Sequence, residues 1–134
     1  MFLGNLMKTY QDHGLALLRI SFSALMMVHG WGKLMKLTAG GEIKFFSFMG
    51  LSPEISLFLT IIGELIAPAL ILIGFQTRLS AIPAFFTMAV ASLVVHASDP
   101  LAEKELALLY MFAFLIIMLC GPGSFSIDKK LNKV

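Results

Sequence analysis

The chain has 134 residues, 58% of them hydrophobic and only 13% charged, with a mean hydropathy of +0.89 and a net charge of +2. Soluble domains carry about 25% charged residues, so this composition describes an integral membrane protein of a single domain, residues 1–134. Ten basic against eight acidic residues give no basic face for nucleic acid, and the lone Cys120 excludes an internal disulfide or a cysteine metal cluster.

The first residues, Met1 to His13, have no apolar core followed by a small-residue cleavage site, so the first apolar segment is expected to stay as an anchor. Four apolar segments follow, at about 14–34, 53–74, 78–97 and 100–120. Ser52-Pro53 and Asp99-Pro100 each set a capping oxygen ahead of a proline suited to a first helical turn. Gly74 and the Gly121-Pro122-Gly123 run are suitable stops. Short links force antiparallel neighbours, which predicts an all-α, up-down-up-down four-helix bundle in the membrane. The long connection from Met35 to Leu51 holds Glu42-Ile43-Lys44-Phe45-Phe46-Ser47-Phe48-Met49, read as a short interfacial helix between helices 1 and 2, with an irregular loop as the alternative.

Orientation rests on basic residues. Lys8, Arg78, Lys129, Lys130 and Lys133 share the side of the termini, against Lys33, Lys36, Lys44 and Lys104 opposite. The excess of one puts both termini in the cytoplasm.

Glu64 is the formal charge that stands out between Ile55 and Thr77, and an acidic group in such a run must face protein or water. Pro68, four residues on, has no N–H for the Glu64 carbonyl, so a carboxylate and a loosened carbonyl fall at one level. In the first segment Arg19, Ser23, His29, Gly30 and Lys33 occupy about a third of the helical circumference, a stripe that should face inward. Lys33 and Arg19 have a second reading, as side chains snorkelling from the helix ends. Arg78 and His96 lie roughly five turns apart on one face of the third segment, and Glu105 or Glu103 opens the fourth. Helix rise puts Arg19 about 9 Å and His29 about 6 Å from the level of Glu64. The sharpest reading is a hydrogen-bonded column Arg19–Glu64–His29–His96–Glu105; its rival is a set of polar clamps between greasy helices. Metal binding is not expected, because no Glu-x-x-His or His-x-x-x-His spacing occurs. Phosphate loops, nucleophile elbows and Cys-x-x-Cys pairs are absent too, so the chain carries no self-contained catalytic motif.

Taken together, Leu18-Arg19-Ile20, His29-Gly30-Trp31-Gly32-Lys33, Gly63-Glu64, Gly74-Phe75-Gln76-Thr77-Arg78, His96, Glu105 and Gly121-Pro122-Gly123-Ser124-Phe125-Ser126-Ile127-Asp128 resemble the DoxX family of small four-span bacterial membrane proteins. The resemblance implies a bacterial inner-membrane bundle linked to redox chemistry, at most a subunit of a membrane oxidoreductase. One branch is similar to the membrane subunit of a thiosulfate:quinone oxidoreductase. It nominates Arg19, His29, Lys33, Glu64, Arg78, His96 and Glu105 as the polar set. The expected function is an accessory membrane protein binding a quinone or another small amphipathic ligand near His29, His96 and Glu105, with a redox partner protein or a second copy as companions besides the lipid. The alternative is a non-enzymatic assembly protein whose charges only fix packing. Transport is disfavoured for want of internal repeats.

Overall fold

The computed structural model describes residues 1–132, so Lys133, counted above for orientation, lies outside the described residues. Helix α1 spans Phe2–Thr38, α2 Pro53–Ile73, α3 Thr77–Val95, α4 Leu101–Cys120, and a last turn, α5, Ile127–Lys130. The described residues are helical or irregular, with no strand.

The first helix is much longer than its apolar part. It runs for 37 residues, about 55 Å at 1.5 Å per residue, and begins at Phe2 instead of near Gly14. Asn5, Lys8, Gln11 and Asp12 lower the hydropathy of that first stretch, but nothing in it breaks a helix. Hydropathy marks where a helix meets lipid, and here the helix outlasts it. α1 stops where Gly40 and Gly41 take φ of 78° and 84°, a region open to glycine.

The expected interfacial helix does not form. The segment from Glu42 to Ser47 is non-helical, followed by a single 3₁₀ turn, Phe48–Gly50. Between two glycines and a proline too few residues remain to repay helix nucleation. The strap is held instead by side-chain contacts: Lys36 Nζ donates to the Lys44 carbonyl at 2.7 Å, and the Phe48 N–H donates to Ser56 Oγ at 3.0 Å.

The boundaries of α2 follow the expected cap and stop, but the cap expected from Asp99 does not form: Pro100 stands at the cap of α4 with no side-chain bond, and the Asp99 carboxylate turns to His96 instead. Ser52 accepts the Ile55 N–H ahead of Pro53, and Gly74 closes α2 in the left-handed conformation at φ 74°. α3 and α4 begin and end within two residues of the expected limits. Two stretches are wound more loosely than an α-helix. In Ile62–Ile66 the ladder widens to π-type turns, the Ala67 N–H reaching back to the Ile62 carbonyl. This is where Pro68 withholds a donor. A second π stretch, Ala91–Val95, ends α3.

α2 packs between α1 and α3, α3 against α4, and α4 returns to α1. Their shared core is Met26, Ile71, Met88, Tyr110, Phe114 and Ile117, with Ala67, Ala81 and Ala84 letting the helices close. Leu17, Leu25, Val28, Ile66, Leu79, Ile82, Leu109, Phe112 and Ile116 point outward, exposed. So much outward apolar surface suits a lipid environment, not water. α1, α2 and α3 are long and apolar enough to cross a membrane; α4 is long enough, but Glu103, Lys104 and Glu105 crowd its first turns.

Candidate functional site

Glu64 sits in the π stretch of α2, 5% exposed, and is held from both sides by glycines. A Cβ on Gly30 of α1 would lie 2.5 Å from the Glu64 carbonyl oxygen, and one on Gly63 would lie 1.9 Å from Thr87 Oγ1 of α3. Only glycine permits either approach. The α1 backbone therefore abuts α2 at the level of Glu64, and α3 closes on it from the other side.

That register decides the partner of the carboxylate. Glu64 lies beside Gly30, and Lys33, one turn farther along α1, reaches back toward the helix N-terminus as helical side chains do. Lys33 Nζ donates to Glu64 Oε2 at 2.5 Å, forming an ion pair with side chains 28% and 6% exposed. Lys33 is thus tied to the interior, not turned out to the headgroups.

The pair borders a cavity of about 360 Å³ between α1, α2, α3 and the strap. Phe45, Phe46 and Phe48 come from the strap, Ser56, Leu59 and Thr60 from α2, and Pro83, Phe86, Thr87 and Val90 from α3, with His96 at the α3 end. Phe48 meets Phe86 edge-to-face with ring centroids 6.1 Å apart. The three hydroxyls that line it are already engaged: Thr60 and Thr87 donate to carbonyls one turn back, and Ser56 accepts from Phe48. The cavity is mostly apolar and aromatic, with the ion pair and His96 as its ionisable groups.

Of the residues singled out from sequence, Lys33, Glu64 and His96 meet at this cavity. His96 Nδ1 lies 2.6 Å from Asp99 Oδ2, a half-buried pair in the turn before α4. His29 is exposed and packs its ring edge-to-face on Tyr110, centroids 6.1 Å apart. Glu105 is exposed on α4. No single column links these groups, because Glu64 binds Lys33 and Arg19 is engaged elsewhere.

Arg19 belongs to a second cluster, at the other end of the helices. It is buried, and its two terminal nitrogens donate to the Pro122 and Phe125 carbonyls, each at 2.5 Å. Asp128, equally buried, accepts the Gln76 and Thr77 N–H groups at 2.8 and 2.9 Å, one on each oxygen. It caps α3 from a distance, while its own N–H donates to the Gly74 carbonyl. Ser124 donates to Asp12 of α1 at 2.6 Å. Arg78 is exposed, its guanidinium lying over Gly121 just past the C-terminus of α4, where a cation suits the helix dipole. The run from Gly121 to Asp128 is therefore a buckle joining α1, the α2–α3 turn and α4.

The twelve phenylalanines read from sequence as ordinary packing, with a pocket lining as the weaker option, and sequence did not show which of them form the aromatic walls; it missed the capping role of Asp128. Phenylalanines in a membrane protein give no signal of their own, and Asp128 shows its partner only after 51 residues of chain have folded back.

The family model of DoxX matches residues 14–97, well over half of the chain. The chain belongs to the DoxX family. The matched stretch contains Arg19, His29, Lys33, Glu64, Arg78 and His96, and thus both halves of the ion pair and the whole cavity wall. Across 95% of its length this DoxX protein is 35% identical to the inner membrane protein YqjF of Escherichia coli (strain K12), covering 98% of that protein. It is also 28% identical to an uncharacterized protein of Haemophilus influenzae, with 96% and 98% of the two chains covered. No solved structure matches it. It is a membrane protein, as its apolar helices and its inner-membrane relative agree.

Proposed function

We propose that this protein is a four-span inner-membrane bundle that binds a small amphipathic ligand, quinone-like in type, in the cavity beside Lys33 and Glu64, and serves a membrane redox system as an accessory. The carrying observation is the cavity itself, apolar and aromatic along its walls and charged at one end. Ligand sites are concave, largely apolar and furnished with a few placed polar groups, and about 360 Å³ falls within their usual span of roughly 300–1,000 Å³. α4 counts as the fourth span in this reading because its charges gather at its N-terminal end, where they reach the interface. The excess of basic residues on the terminal side puts both termini in the cytoplasm. Lys33, Glu64 and His96 are the binding residues; Arg19 and Arg78 hold the fold, and His29 and Glu105 lie outside the cavity.

Mass spectrometry of what co-purifies with the protein tests this, together with titration of a short-chain quinone and its quinol into wild type and Val90→Trp, whose indole intrudes into the cavity. Retention and binding by wild type, lost in the variant, are expected. Equal binding by both, or none by wild type, overturns the reading.

A second reading is favoured at one end only. The Arg19–Asp128 buckle engages its polar groups with backbone, so there the charges act as packing clamps.

A further inference from the structure

The ion pair leaves hydrogen-bonding capacity on both of its members. Among the described residues Lys33 Nζ makes one hydrogen bond, to Glu64 Oε2, and Glu64 Oε1 accepts none. An ammonium carries three donors and a carboxylate several lone-pair sites. Both side chains line the cavity, so it offers a ligand spare donors and a spare acceptor next to one another.

The pair is also electrically balanced. An anionic head would answer Lys33 but crowd Glu64, and a cationic head the reverse; either brings an unmatched charge into an apolar site, which is costly. An ether or carbonyl oxygen accepts from Lys33 and leaves Glu64 Oε1 unmatched. A hydroxyl satisfies both, donating to Glu64 Oε1 and accepting from Lys33 Nζ. Phe45, Phe46, Phe48 and Phe86 line the neighbouring wall, and aromatic edges and faces favour a ring as the body that carries the hydroxyl.

We infer that the cavity selects an uncharged aromatic ligand bearing a hydroxyl, a phenol-type head group read by Lys33 and Glu64 together. The inference rests on the cavity being a ligand site, and it narrows the chemistry of what enters. Discrimination comes from the donor: a ligand that covers Glu64 Oε1 without donating to it leaves that acceptor unmatched, which penalises the analogue that lacks the hydroxyl hydrogen.

Three probes with one body test it on the full-length protein in detergent: para-heptylphenol, its methyl ether para-heptylanisole, and para-heptylbenzoate. Isothermal titration is expected to give the phenol an affinity on the order of tenfold above the ether, with the benzoate anion weaker than the phenol. Glu64→Gln, which replaces one carboxylate oxygen with a donor, should shrink the phenol–ether ratio toward one. The wild-type comparison stands even if that variant folds poorly. Ether binding equal to phenol binding, with both abolished by Val90→Trp, overturns the head-group inference while the cavity keeps its role. If no probe binds wild type, or Val90→Trp leaves all binding unchanged, the ligand-site reading falls, and the inference with it.

Discussion

Gly63→Ala is the most pointed test of how Glu64 is held. The new Cβ would lie 1.9 Å from Thr87 Oγ1, 2.8 Å from Thr87 Cβ and 3.1 Å from the Pro83 carbonyl oxygen, where ordinary contact begins at 3.4 Å. Rotating the hydroxyl aside breaks its 2.8 Å bond to Pro83, at about 1 kcal/mol. The Thr87 Cβ stays in the way, so α2 and α3 must also part, and overpacking of this kind costs about 1–3 kcal/mol. Alanine returns up to about 1 kcal/mol in helix propensity, leaving a net loss of about 1–3 kcal/mol. The control is Gly32→Ala on α1, where a Cβ meets nothing within 4 Å. That substitution should leave the melting temperature unchanged or raise it. Both are read by circular dichroism in one detergent at one scan rate, and Gly63→Ala is expected to melt several degrees lower. Thr87→Ala in the Gly63→Ala background should recover part of the loss, because the nearest clash disappears. If Gly63→Ala melts with Gly32→Ala, the close approach of α2 to α3 is refuted.

Two further substitutions probe the ends of the molecule. Asp128→Ala removes the acceptor of two N–H groups that open α3, and should cost about 2–3 kcal/mol. Hydrogen exchange should then quicken at Gln76 and Thr77, and unchanged protection there would show that the buckle does not cap the helix. Lys33→Met leaves the Glu64 carboxylate without its cation. Breaking a fully buried pair costs about 3–5 kcal/mol, and with the Lys33 side chain 28% exposed the loss should sit at or below the lower end. Adding Glu64→Leu should restore much of the melting temperature, since a matched apolar pair replaces a broken ionic one. A double variant no more stable than Lys33→Met alone would contradict that account.

The membrane class and the helix limits were legible because they are local properties. Ser52-Pro53, Gly74 and Gly121 act on their own turns, so caps and stops appear in the structure within a residue or two of the sequence reading. Pro68 likewise acts on the turn before it, and the loosened ladder stands at Ile62–Ile66. Two local readings failed for local reasons. Polar residues in the first turns of α1 hid a helix that composition did not forbid, and the phenylalanine-rich strap was too short to repay nucleation.

Sequence by itself determined that Glu64 must be buried and must find a partner, since the price of an uncompensated carboxylate among apolar helices does not depend on the fold. It also drew the polar stripe of α1. Which member of that stripe reaches Glu64 was decided only by the tertiary structure. Helix rise ranks candidates by depth, but the register of α1 on α2 is set where Gly30 admits the Glu64 carbonyl, a contact 34 residues apart that no single helix encodes. That contact gives the carboxylate to Lys33, and the carbonyls of Pro122 and Phe125 claim Arg19 at the other end. The cavity has the same origin. Its aromatic walls come from segments distant in the chain, brought together only once the strap crosses between α1 and α2.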